Sequence, residues 1–178
     1  MIVTTALLLT ALVFSAGPTA SAGPIASGTS GASGAPLASG GVGDGDWPMW
    51  GRDMTRNMVS PETGLPDTFE AGEFVGATDR IDLETTKNVK WIAKLGSQSY
   101  GNPVVANGRI YLGTNNDSQT DPRFKGDRSV VYCLDEATGA MIWQLNIPKL
   151  GTGKVSDWEF LGICSSPAVE GDRVYVLT

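Results

Sequence analysis

Hard oxygen ligands crowd one stretch of the chain, Asn115-Asn116-Asp117-Ser118-Gln119-Thr120-Asp121. Carboxylate, carboxamide and hydroxyl oxygens in one loop suit Ca²⁺, and Asn115, Asp117 and Asp121 are its candidate ligands. The stretch lacks the Asp-x-Asp-x-Asp-Gly order with a downstream Glu, so a solvated loop is the favoured reading and no metal is assigned. Cys133 and Cys164 are the two cysteines, and the chain has no His. That excludes imidazole triads, His metal ligands and imidazole proton shuttles, and two Cys cannot complete a four-Cys zinc site. No convergent pair of carboxylates appears in the motifs, so no catalytic residue is assigned. Trp47, Trp50 and Arg52 could form the lip of a ligand site. Stapling of the N-terminal segment by burial of the indoles is favoured. Asp157-Trp158-Glu159 is a surface-recognition candidate, weighed against a solvated connection, which is preferred.

Something must position these groups. The chain has 178 residues, with Lys+Arg 13 against Asp+Glu 19 and a net charge of -6. That length allows one domain at most, and the acidic balance argues against a nucleic-acid partner. Ala6 to Phe14 is apolar apart from Thr10. The run is far short of the roughly 20 residues a spanning helix needs, and it matches the apolar core of a signal peptide over residues 1–22. Ala20-Ser21-Ala22 supplies the small-residue cleavage pattern, with Gly23 as the mature start. The stretch before the apolar run lacks Lys and Arg, which leaves an uncleaved anchor as the alternative. No Cys stands at the expected mature start, so no lipid anchor is expected, and no membrane span remains after cleavage. Residues 23–46 are almost entirely Gly, Ala, Ser, Pro and Thr and read as a disordered linker. The expected location is periplasmic or extracellular.

The rest reads as short strands. Val89 to Leu95 alternates Val, Trp, Ala and Leu with Lys, Ile and Lys, the period of a half-buried strand. Further strands are predicted near 102–106, 109–114, 129–135, 140–146, 165–169 and 173–178. Asn107-Gly108 between apolar runs is a strong hairpin signal, because a type I′ turn needs positive φ at both central residues. A second turn falls at Gly171-Asp172. Pro167 to Val176 repeats Pro103 to Leu112 without a gap, at an offset of 64 positions. Trp91 and Trp143 echo one another in the same way. Repeated short antiparallel strands are a mark of propeller blades. The extra length fits two long connections, 115–128 and 148–161.

Cys133-Leu134-Asp135-Glu136-Ala137-Thr138-Gly139-Ala140-Met141-Ile142-Trp143 resembles the repeat of the pyrroloquinoline-quinone (PQQ) type propellers, Ala-x-Asp-x-x-Thr-Gly-x-x-x-Trp, with Cys133 in place of the usual Ala. Asp46-Trp47-Pro48-Met49-Trp50-Gly51-Arg52 is similar to the opening segment of many exported members. The resemblance covers roughly Asp46 to Thr178. It implies an all-β fold, a partial propeller of four-stranded antiparallel blades over 89–178, with one full blade and parts of two others, and residues 47–88 packing on it. The chain stops inside a strand pattern, which reads as the N-terminal part of a longer propeller; a short self-contained β domain is the alternative. In this reading Asp135 and Thr138 bond the turn they bracket, Gly139 relieves left-handed strain, and Trp143, which Trp91 echoes, docks one sheet on the next. Pro103 and Pro167 open the first strand of successive repeats. Cys133 and Cys164 fall on different blades, which favours two buried thiols over a disulfide.

Two functions follow from the resemblance. One is an exported platform that binds a macromolecular partner, most simply a protein, with no cofactor and no turnover in this stretch. The other is the N-terminal part of a quinoprotein dehydrogenase that uses PQQ and calcium to oxidise alcohols or sugars. The adjacent Cys pair that many alcohol-oxidising members carry is absent from this stretch.

Overall fold

In the computed structural model the described residues are 43, 45–118, 121–149 and 158–178. The expected signal peptide and nearly all of the expected linker lie outside them, as do Gln119, Thr120 and Asp157. Among the described residues the regular elements are all strands, apart from one short 3₁₀ turn, with long irregular segments between them.

The centre is a four-stranded antiparallel sheet of β3 (Val104–Ala106), β4 (Arg109–Asn115), β5 (Arg128–Asp135) and β6 (Met141–Pro148), in the order β3-β4-β5-β6. The β3–β4 turn forms as expected, with Asn107 at φ 55 and Gly108 at φ 71. Register along β4 and β5 runs from Arg109 opposite Asp135 to Asn115 opposite Ser129. Across β5 and β6, Cys133 faces Trp143 and Leu134 faces Met141, so Ile142 is an extra residue that bends the outer strand.

β4 and β5 are buried on both faces, as their near-continuous apolar runs require. On one face Ile110, Leu112, Val130, Tyr132 and Leu134 form a cluster with Trp91, supported by Ala93 and Leu95. On the other, Val104, Ala106, Tyr111 and Cys133 cluster with Val169, flanked by Trp143 and Val174. Val169 belongs to a second sheet, β7 (Ala168–Glu170) with β8 (Arg173–Tyr175). Gly171 takes φ 58 in the intervening turn. The four-stranded sheet is thus covered by an upstream segment on one side and the next hairpin on the other. No closed ring of sheets is formed among the described residues.

Three expectations need correction. Residues 89–95 do not join a ladder, although Trp91 is buried while Lys90, Ile92 and Lys94 are exposed. Alternation reports an extended backbone with one side against a core, and says nothing about what bonds its edges. Strands expected over 165–169 and 173–178 shrink to Ala168–Glu170 and Arg173–Tyr175. Pro167 cannot donate to a ladder, so it precedes the strand. A further hairpin within 47–88 was not expected: β1 (Glu73–Phe74) pairs with β2 (Ile81–Asp82), and a 3₁₀ turn at Leu83–Thr85 follows, capped by Asp82.

Candidate functional site

The turn between β5 and β6 carries the motif residues. Asp135 Oδ1 accepts from Thr138 N at 2.8 Å and from Thr138 Oγ1 at 2.7 Å. Gly139 N donates to Asp135 O at 2.8 Å, and Gly139 sits at φ 72, where a side chain is strained. The Thr138 hydroxyl, with backbone amides of the turn, holds the Asp135 carboxyl below the usual carboxylate range. Trp91 lies over this turn. Its Nε1 donates to Glu136 O at 3.0 Å, and a Cβ on Gly139 would stand 2.4 Å from the indole Cε3. Only glycine admits the ring. Trp143 is half-buried on the opposite face, tilted against Tyr111 with ring centroids 6.0 Å apart.

The 64-residue repeat is visible as contacts between equivalent positions. Asn102 N donates to Ser166 Oγ at 2.8 Å, across 64 residues. A Cβ on Gly101 would stand 2.3 Å from Ser165 O. Pro103 and Pro167, the next equivalent pair, lead into β3 and β7. β3 and β7 are edge strands of their two sheets, and they lie next to one another where these equivalent residues meet.

A strap from the N-terminal side crosses the open edges of both strands. Trp47 N donates to Val105 O at 2.7 Å, and Val105 N donates to Trp47 O at 3.0 Å. Pro48 O then accepts from Val169 N at 2.7 Å. Val105 and Val169 are equivalent positions of the repeat. Asp46 Oδ1 accepts from Asn107 N at 3.2 Å, fixing the start of the strap at the β3–β4 turn. Trp50, on the turn that follows, is half-exposed and meets the Arg56 guanidinium 5.9 Å from its ring centroid. Arg52 donates from Nη1 to Val59 O at 3.0 Å. Trp47 therefore joins the strap, while Trp50 and Arg52 belong to a local loop.

The two long connections meet at one end of the four-stranded sheet. Asn115, fully buried, is the hub: its Oδ1 accepts from Ser97 N and Asp117 N, both at 3.0 Å, and its Nδ2 donates to Ser97 Oγ and Phe160 O. Asn116 donates to Gly126 O at 2.7 Å and accepts from Arg128 N at 2.8 Å. Asp117 is exposed. Asp121 chelates the Arg123 guanidinium, which holds its pKa down to about 2. The three candidate calcium ligands are not brought together: one carboxamide is engaged by backbone, one carboxylate by Arg123, and the third faces solvent. These residues do not fit a Ca²⁺ ion, and among the described residues no three His, Cys, Asp or Glu side chains gather as a metal site. Asp127 was not singled out by its sequence context, since a lone Asp in a loop carries no signal. Its Oδ2 accepts from Phe160 N at 2.7 Å and pairs with Lys149 Nζ at 2.9 Å, while Lys149 also donates to Trp158 O at 2.8 Å. Trp158 and Glu159 are exposed.

Both cysteines are free thiols; Cys133 is buried and Cys164 exposed, so the expected burial of the second is corrected. Desolvation pushes the Cys133 thiol up to about 11, which makes it inert toward nucleophilic chemistry at neutral pH. No family model, no curated protein and no solved structure matches this chain.

Proposed function

We propose that the chain is part of an exported propeller of PQQ-like repeats that serves as a binding or assembly platform for a protein partner, without catalysis in this stretch. The observation that carries this reading is the use made of the motif residues. Asp135, Thr138 and Gly139 build a turn, Trp91 seats on it, and equivalent positions of successive repeats bond one another. The motif thus makes sheets and joins them, and the product is surface. The four-stranded sheet, with a segment of the preceding unit on one face and the hairpin of the next on the other, has the layout expected of stacked blades.

The dehydrogenase reading draws on the opening segment Asp46-Trp47-x-x-x-Gly51-Arg52. In this chain Trp47 supports backbone pairing across two repeats, and the oxygen-rich loop does not fit calcium. The purified protein, supplied with PQQ and Ca²⁺, is expected to show no dye-linked oxidation of alcohols or aldoses. Cofactor-dependent turnover would replace the platform with the dehydrogenase.

A further inference from the structure

The strap Asp46-Trp47-Pro48 makes three backbone hydrogen bonds, two to Val105 and one to Val169, with one further bond from Asn107 N to the Asp46 carboxylate. All of the receiving groups lie on sheet edges or at a turn. Edges of this kind recognise an extended chain through its main chain, whatever its origin. The chemistry of the strap suits the task. Pro48 pushes the residue before it into extended backbone. Pro48 has no N–H, and the bond asked of it is made by its carbonyl. Residues 49–103 join the strap covalently to the edge of β3, so its seating there is an intramolecular event.

We infer that the open edges of β3 and β7 form one peptide-binding site, and that Asp46-Trp47-Pro48 is its resident, exchangeable occupant. The partner segment is an extended polypeptide carrying an aromatic residue followed by proline. This rests on the platform reading and gives its partner a chemistry. A tethered occupant is present at an effective concentration of the order of mM, so a free peptide gains access only when the resident strap is weakened or withdrawn.

The test uses the full chain and a dye-labelled peptide with the sequence of residues 43–52. Trp47→Pro removes the strap's N–H to Val105 O. The peptide is expected to bind this variant at least about tenfold more tightly than wild type, because the competing strap is loosened. Amide exchange at both Val105 and Val169 is expected to accelerate in the variant and to slow again on adding peptide. Asp46→Ala, which deletes only the side-chain bond to Asn107 N, is expected to shift affinity the same way by a smaller factor, and it serves if Trp47→Pro does not fold. Equal affinity for wild type and a folded variant would overturn the inference, as would no binding, or protection at only one of the two valines. A concentration-dependent dimer of the wild-type chain that the peptide dissolves would assign the site to a second copy's strap and overturn it too. Quinone-dependent turnover alongside peptide binding would sink the platform and leave strap exchange standing. Absence of both turnover and peptide binding would sink strap exchange alone.

Discussion

Gly139 and Trp91 meet closely, with the indole 2.4 Å from where a Cβ on Gly139 would stand. Gly139→Ala would add left-handed strain of about 1–2 kcal/mol and push a methyl into the indole, so a loss of more than about 2 kcal/mol is expected in urea unfolding. Trp91→Ala removes a buried ring and its bond to Glu136 O, and should cost about 3–5 kcal/mol. An unchanged midpoint for either would mean that the ring does not seat on the turn. Asp135 adds a pH dependence. Its folded pKa is depressed, so its contribution is present above the unfolded value of about 3.9 and is lost as pH falls through the lower folded value. Asp135→Asn should therefore lower stability near neutrality, converge on wild type in acid, and so flatten the stability profile below about pH 4; an identical acid limb in the variant would argue against the turn as a contributor. At the cysteines, a thiol reagent at neutral pH should label Cys164 alone in the folded protein and Cys133 only after denaturation.

At the scale of elements, the hairpins and the motif turn could be read from sequence because each depends on residues close together. Asn107-Gly108 dictates its turn by positive φ, and Asp135 finds Thr138 three positions on. What could not be read depends on partners far along the chain. The stretch around Trp91 carries the strand period yet joins no ladder, since its bond is to Glu136, 45 residues away. Asn115 looked like a metal ligand because its sequence neighbours are oxygen donors. Its real partners are Ser97 and Phe160, on two other segments. Asn115→Ala should leave buried amides and a carbonyl unsatisfied, at about 1–3 kcal/mol for each group that water cannot reach. Asn115→Asp should also destabilise, because a carboxylate cannot donate to Ser97 Oγ or Phe160 O. Wild-type stability in the aspartate variant would show that the site tolerates an acceptor there, and would reopen the question of a cation.

For the whole molecule, the two sheets differ in how they are protected. β4 and β5 are covered on both faces, while the β7–β8 hairpin has exposed Tyr175 and joins the core cluster through Val169, with Val174 beside it. A two-stranded hairpin is marginal by itself. Amide exchange should therefore be fastest in β8 and slowest in β4 and β5, following local opening; equal protection across both sheets would mean that β8 has a partner on its free edge. The strap adds a question of timing. Asp46 leaves the ribosome 61 positions before Asn107, the residue that binds its carboxylate. At about 5–20 residues per second that is a wait of roughly 3–12 s, against microseconds for a hairpin to close. The strap is thus made before either edge it serves: it can seat on β3 as soon as Val105 and Asn107 have emerged, while its bond to Val169 waits for the second repeat. A segment made early is completed late, when both repeats are present.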